Sequence, residues 1–134
     1  MDRRIYLTMP VYWTNVKKTK PSTTHLVGMN WFRNAHHFSQ NKVKQLFSDI
    51  AKSQFPTDIS KISKYEIEYV YYYKSSVSDL MNVVSLTSKI VNDALQEAGI
   101  VLNDTVLNCL KETAVVGGLD KLNPRVEIIV TPIA

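Results

Sequence analysis

The chain has 134 residues, enough for one globular domain but too few for two of ordinary size. Its composition, 45% hydrophobic and 21% charged with four glycines and five prolines, excludes an intrinsically disordered or low-complexity protein. A single cysteine, Cys109, excludes an intramolecular disulfide, and no apolar run approaches the roughly 18 residues of a membrane-spanning helix. We therefore expect residues 1–134 to form a single soluble domain of the cytoplasm, without a signal peptide.

Charge is distributed unevenly along the chain. The net charge is +4, but residues 1–74 contain twelve Lys and Arg against five Asp and Glu, whereas residues 75–134 contain four against seven. A basic front part would attract a polyanion, and an acidic back part would attract divalent cations. Ordinary solvated surface explains the same counts, so this asymmetry alone assigns no function.

The first part of the chain is predicted to contain a short strand and then a long irregular segment. The alternation over Ile5–Met9 predicts the strand, which Pro10 ends. The segment Val11–Asn34 mixes lysines with aromatic residues, namely Lys17, Lys18 and Lys20 with Tyr12, Trp13, Trp31 and Phe32. Such a segment can hold phosphates and stack bases, or it can be an arm whose aromatic side chains pack on the core.

Two helices are predicted from apolar residues at helical spacing. The first covers Ala35–Gln54, and its adjacent His36 and His37 fit a helix start better than a metal site, because neighbouring positions on a helix point apart. The second covers Leu80–Ala98 and is stopped by Gly99.

Three further strands complete the prediction. The alternation over Tyr65–Lys74 predicts a strand with Glu66 and Glu68 on one face and the odd-numbered residues on the other. The apolar segments Val106–Val116 and Val126–Ile133 are predicted to pair as an antiparallel hairpin. The expected fold is an α/β domain of α+β-like organisation, with a mixed sheet and two long helices against it.

Two acidic residues stand at the ends of predicted elements. Asp79 begins the second helix, and Asp104 follows the apolar run Ile100–Leu102. One or two carboxylates together with a phosphate can hold Mg²⁺, which can polarise a phosphodiester. Lys89 lies on the same helical ridge as Asp79 and can stabilise charge on that phosphate. A purely structural interpretation explains these residues equally well. The negative charge of Asp79 interacts favourably with the helix dipole, and Lys89 can pair with Asp93 four residues on.

Several short motifs occur in a characteristic order. They are Asp79-Leu80-x-Asn82, Lys89-x-x-x-Asp93-Ala94-Leu95, Gly99, Asn103-Asp104, Gly117-Gly118 and Asn123-Pro124-Arg125-Val126-Glu127-Ile128. In this order they resemble the signature of the RusA-type endodeoxyribonucleases, the phage and prophage Holliday-junction resolvases. The specific part of the resemblance covers residues 79–130.

The resemblance implies a nuclease that uses Mg²⁺ or Mn²⁺, acts as a homodimer and nicks four-way DNA junctions in phage recombination, repair or replication. It assigns the metal to Asp79 and Asp104, which would activate water, and a role at the phosphate to Lys89. Asn82, Asn103 and Asp93 would support this site. The basic residues Lys17, Lys18, Lys20, Lys42 and Lys44 would hold the DNA backbone. For a phage-encoded protein, the location would be the bacterial host cytoplasm.

Two departures from the family pattern weaken the expected metal site. Met81 stands where the family has a second acid, and its thioether cannot ligate Mg²⁺. Asn103 stands in place of an aspartate, so it keeps a carbonyl oxygen but has no charge. Glu66 or Glu68 on the preceding strand is a candidate replacement ligand. The alternative is a catalytically weakened or inactive RusA-like module that binds branched DNA or a protein.

Overall fold

A four-stranded mixed sheet lies at the centre of the computed structural model, which describes residues 3–59 and 61–133. Its strands are β1 (Ile5–Pro10), β4 (Tyr65–Tyr73), β5 (Cys109–Leu119) and β6 (Arg125–Pro132), in the spatial order β1–β6–β4–β5. The remaining elements are a hairpin of β2 (Tyr12–Asn15) and β3 (Thr23–Leu26) and the helices α1 (Met29–Asn34), α2 (His37–Lys52) and α3 (Leu80–Glu97). This confirms one α+β domain with a mixed sheet. The predicted domain bounds also include residues 1, 2, 60 and 134, which lie outside the described residues.

The central strand β4 has the two faces that its alternation predicts. Its odd-numbered residues from Tyr65 to Tyr71 are buried, and the hydroxyl of Tyr65 donates to Asn92 Oδ1 of α3 at 2.7 Å. The helices therefore cover this face of the sheet. Glu66 and Glu68 lie on the opposite, more exposed face.

Both long helices are confirmed, with ends shifted by at most two residues from those predicted. The helix α2 begins after His36, whose Nδ1 accepts a hydrogen bond from the Phe38 N–H at 3.2 Å, so the histidine pair marks a helix start. The helix α3 ends before Gly99, whose φ of 73° suits glycine because it has no Cβ. No helix among the described residues is long and apolar enough to cross a membrane.

The segment Val11–Asn34 is not irregular, and this prediction is wrong. It forms the β2–β3 hairpin and the short helix α1. Trp13 pairs with His25 across the hairpin, and the hydroxyls of Thr14 and Thr24 are hydrogen-bonded at 2.8 Å. Cross-strand pairs of this kind stabilise strands that are too short for their periodicity to be recognised.

The last two strands do not form a hairpin, so that prediction is also wrong. β5 lies parallel to β4 along one edge, and β6 lies antiparallel to β4 along the other. The connection through α3 returns the chain to the same end of the sheet, which makes β5 parallel. The loop 120–124 then crosses the end of β4, where the Asp120 N–H donates to the Tyr73 carbonyl at 2.8 Å.

Candidate nucleic-acid interface

A cavity of about 530 Å³ opens beside the β2–β3 hairpin, where Trp13 and Asn15 of β2 and His25 of β3 line it. Its lining includes four aromatic rings, those of Trp13, His25, Trp31 and His36, and three amides, those of Asn15, Asn30 and Asn34. The hairpin supplies two of the rings, α1 supplies Trp31, and the start of α2 supplies His36 and Ser39, so the cavity lies where these three elements meet.

The rings of Trp13, His25 and Trp31 contact one another at the cavity wall. The centroids of Trp13 and Trp31 are 5.7 Å apart at 61°, an edge-to-face arrangement. His25 lies 6.3 Å from Trp13 and 5.9 Å from Trp31. His25 Nε2 is also hydrogen-bonded to the Thr23 hydroxyl at 3.1 Å, which orients the imidazole. Such contacts hold the rings in place before any ligand binds.

The side-chain amides at the cavity make fewer contacts than the rings do. Within residues 3–59 and 61–133, the side-chain amides of Asn15 and Asn30 make no hydrogen bond, whereas Asn34 Nδ2 donates to the Asn30 carbonyl at 2.8 Å. The Asn30 N–H donates to Asn82 Oδ1 at 2.8 Å, which ties α1 to the first turn of α3. Gly28 permits this contact, because a Cβ there would lie 2.5 Å from Asn82 Nδ2.

The hairpin carries the predicted basic residues at its tip. Lys17, Lys18 and Lys20 lie in the exposed connection between β2 and β3. Lys74, which the sequence analysis missed, joins this side of the molecule with its Nζ 5.5 Å from the ring centre of Tyr12. From residue 3 to residue 48 the chain has eight Lys or Arg and no Asp or Glu. The hairpin therefore presents positive charge with no acidic residue of its own to neutralise it.

The two predicted lysines of α2 have different surroundings. Lys42 is exposed. Lys44 lines a groove of about 280 Å³ between α2 and α3, and two acidic residues, Asp93 and Glu97, line the same groove. Glu97 also forms a salt bridge with Lys52 at 2.6 Å. Lys44 and Asp93 thus share a helix–helix groove, which separates them from the surface of the hairpin.

Asp79 and Asp104 lie at opposite ends of α3. Asp79 Oδ1 accepts hydrogen bonds from two N–H groups of the first helical turn at 3.0 and 3.3 Å, so this carboxylate caps the helix. At the other end, Gln96 Nε2 donates to Asn103 Oδ1 at 3.0 Å, and the Asp104 N–H donates to the same oxygen at 3.0 Å. The 18 residues of α3 separate the two ends by about 27 Å. The structure does not bring these two carboxylates together within one chain.

The other predicted site residues do not complete a metal site either. Glu66 and Glu68 lie on the sheet face away from α3, and Lys89 is exposed near the middle of that helix. In the described part of the chain, no group of three or more His, Cys, Asp or Glu side chains is arranged to hold a metal ion. The structure therefore does not bring the predicted ligands together in one chain, and the use of Mg²⁺ or Mn²⁺ stays a prediction.

A carboxylate network that the sequence analysis missed lies between β5 and α3. Glu112 Oε1 accepts hydrogen bonds from the Tyr69 hydroxyl, from the Ser88 hydroxyl at 2.8 Å and from Asn92 Nδ2 at 3.1 Å. Burial raises the pKa of the Tyr69 hydroxyl well above its usual value, and the Glu112 charge raises that pKa further. Glu112 itself is exposed, but its oxygen joins donors from β4 and α3, two of them on the buried residues Tyr69 and Asn92, so we interpret this network as structural.

Comparison with known proteins does not identify a family for this chain. No protein-family model matches the chain, and a search of curated proteins finds no match. The resemblance to RusA-type nucleases therefore depends on the ordered motifs alone. In the fold, Asp79 lies at the same end of α3 as the cavity, because Asn82 bonds both to Asp79 and to α1. Asp104 lies at the other end.

Proposed function

We propose that the chain is a DNA-binding protein that holds branched or locally unpaired DNA at the β2–β3 hairpin. One observation carries the proposal: a hairpin tip with Lys17, Lys18 and Lys20 projects beside a cavity walled by Trp13 and Trp31. Positive charge attracts phosphates, and aromatic rings stack on bases that are not already stacked in a duplex. This is the alternative that the sequence left open, a RusA-like module that binds DNA.

The hairpin suits branched DNA for a physical reason. The lysines contact only phosphates, which positions the DNA without reading its sequence. Each lysine that neutralises a phosphate releases counterions, so the affinity falls steeply as salt rises. Bases near a branch point are easier to unstack than bases in a continuous duplex, which favours their contact with the aromatic wall.

A second copy of the chain is the protein partner that we propose. The outer edge of β5 pairs with no other described strand, and it carries large exposed apolar side chains, those of Leu110, Val115, Val116 and Leu119. An edge strand of this kind is a ready template for pairing with another chain. A symmetric dimer would place two hairpins on one assembly, which suits a DNA junction with two-fold symmetry.

Metal-dependent cleavage is the second candidate. Its support is the resemblance together with the exposed position of Asp79 near the hairpin end. Because Asp104 lies at the other end of α3, cleavage would require carboxylates from different copies of the chain. The same DNA experiment distinguishes the two candidates.

The test compares binding of the full chain to a labelled four-way junction and to duplex, by fluorescence anisotropy over a range of salt. Replacing Lys17, Lys18 and Lys20 with alanine should lower the slope of log K against log salt by about three, roughly one for each lysine. The matched control removes the same charge at the far end of the molecule, with Lys61, Lys64 and Lys111 replaced, and should keep the wild-type slope. Equal losses in both variants, or no binding by the wild type, would overturn the proposal.

The nuclease candidate is decided by adding Mg²⁺ or Mn²⁺ to the junction complex and following strand nicking. We expect the junction to stay intact. Nicking that disappears both in Asp79→Asn and in Asp104→Asn would instead establish the metal-dependent nuclease. Nicking that survives both substitutions would remove these residues from the chemistry.

A further inference from the structure

We propose that the cavity between the hairpin and α1 receives one unpaired nucleobase, turned out of the DNA stack. The inference rests on the proposed DNA-binding function and makes it more specific. It assigns the hairpin lysines to the phosphates and the ring and amide groups of the cavity to a single base.

The arrangement of the rings determines how a base would lie. Trp13, His25 and Trp31 already contact one another with centroids 5.7 to 6.3 Å apart, so no base fits between them. The base would instead stack against the side of the rings that faces the cavity. A cavity of about 530 Å³ leaves room for it there. Stacking on an aromatic side chain tolerates any base, because every base has a π-face.

The amides supply the polar contacts that the edge of an extruded base requires. Asn15 and Asn30 line the cavity, and in the described part of the chain their side-chain amides have no partner. An asparagine amide offers both a donor and an acceptor, which matches the paired donors and acceptors on a base edge. A turned-out base loses its pairing partner, so amides that replace this partner recover part of the cost.

Charge favours a nucleobase over other ligands of aromatic cavities. Neutral sugars and proline-rich peptides also stack on tryptophan, but they gain nothing from nearby lysines. Asn15, the last residue of β2, lines the cavity, and Lys17 follows two residues later, within roughly 7 Å along the backbone. At that distance the lysines contact phosphates beside the extruded nucleotide, while the base itself occupies the cavity. The combination is specific to a nucleic-acid strand.

The experiment compares two duplexes that differ only in the base. One carries a single-nucleotide bulge, and the other carries an abasic site at the same bulge, so bending and charge are matched. We expect the wild type to bind the duplex with the base about tenfold more tightly. With 2-aminopurine at the bulge, its fluorescence should be quenched on binding, because the base stacks on an indole ring.

Substitutions in the cavity test the assignment. Trp31→Ala should bind both duplexes equally, while Trp31→Phe, which keeps an aromatic face, should recover part of the preference. Tyr6→Ala is the control, since Tyr6 is an exposed aromatic residue on β1 outside the cavity, and it should leave the preference intact. Asn30→Ala provides a second variant that removes no packing from the core. Its preference for the base should fall several-fold while its urea unfolding curve stays unchanged.

The outcomes separate this inference from the proposed function. Salt-sensitive binding that depends on the hairpin lysines, but is equal for the two duplexes, would overturn the base-binding inference and leave DNA binding in place. Absence of any binding would overturn both. A preference for the base that survives Trp31→Ala and Asn30→Ala would place the base elsewhere and also contradict the inference.

Discussion

The hairpin cavity and the Glu112 network both contain polar groups beside aromatic rings, but they differ in how those groups are paired. At the network, Glu112 accepts three hydrogen bonds, and Asn92 both donates to Glu112 and accepts from Tyr65. At the cavity, the side-chain amides of Asn15 and Asn30 have no partner among the described residues. Paired polar groups stabilise a fold, whereas solvent-accessible amides at a cavity, such as that of the exposed Asn30, can exchange water for a ligand. The comparison assigns structure to the first region and binding to the second.

If the network stabilises the fold, removal of its acceptor should lower the stability. Glu112→Ala leaves the buried Tyr69 hydroxyl and the amide of Asn92 without their common acceptor. Asn92 Nδ2 keeps its hydrogen bond to the Ser88 carbonyl, and Glu112 itself is exposed, so we expect the free energy of unfolding to fall by about 2 kcal/mol in urea denaturation, with DNA affinity per folded molecule unchanged. Glu112→Gln keeps an acceptor oxygen and should lose less than half as much. A loss below about 0.5 kcal/mol for the alanine variant would show that the network is not structural.

The contact between α1 and α3 offers a smaller test at the cavity end. In Gly28→Ala the new Cβ would meet the side chain of Asn82, which must move and release the Asn30 N–H. We expect a destabilisation of about 1–2 kcal/mol and a weaker preference for the bulged base.

A double-mutant cycle tests whether the clash with the Asn82 side chain causes this destabilisation. In an Asn82→Ala background there is no side chain for the alanine to displace, so Gly28→Ala should have little further effect. Additive losses in urea denaturation would mean that the glycine is needed for another reason.

The pH dependence of stability provides a further test of the network. Burial raises the pKa of both Tyr65 and Tyr69, so these hydroxyls stay protonated in the folded chain when they ionise in the unfolded chain. Stability is therefore complete below an unfolded pKa of about 10 and falls as pH rises above it, by up to about 1.4 kcal/mol per pH unit for each tyrosine. Urea unfolding at a series of alkaline pH values measures this slope, and Tyr69→Phe should make it shallower. An unchanged slope in that variant would show that Tyr69 ionises alike in both states.

The elements that the sequence predicts well are those in which one periodic pattern decides the structure. The alternation in β4 and the apolar stripe of α3 each specify a face, and Gly99 specifies a helix end. The hairpin was missed because its strands have four residues each, and their stability comes from packing of Trp13 against Trp31. Such contacts join distant positions and leave no local pattern.

The separation of Asp79 from Asp104 also depends on contacts that have no local signature. A connection of this length after α3 could run part of the way back along the helix. In the structure it does not, because the N–H groups of Ile100 and Val101 both donate to the Leu95 carbonyl, at 3.0 and 3.3 Å. Val101 also bridges to Ile62. These bonds hold the following residues at the helix C-terminus, so motif order alone does not show which carboxylates meet.

The surroundings of Glu112 follow from the strand register. It pairs with Ile67 of β4, so its side chain lies on the sheet face that the helices cover. Its position is explained once β5 is known to lie parallel to β4, but the sequence favoured pairing of β5 with β6. An error in strand pairing therefore conceals the surroundings of every residue on that strand.

The most direct test of DNA binding at the hairpin end is a map of amide chemical shifts on addition of the bulged duplex. The chain has two tryptophans, so the indole N–H signals of Trp13 and Trp31 report on the cavity individually. We predict that both indole signals move, with the largest backbone shifts between residues 12 and 36, while the amides around Asp104 and Glu112 stay in place. Shifts concentrated at the Asp104 end, with both indole signals unmoved, would contradict binding at the hairpin.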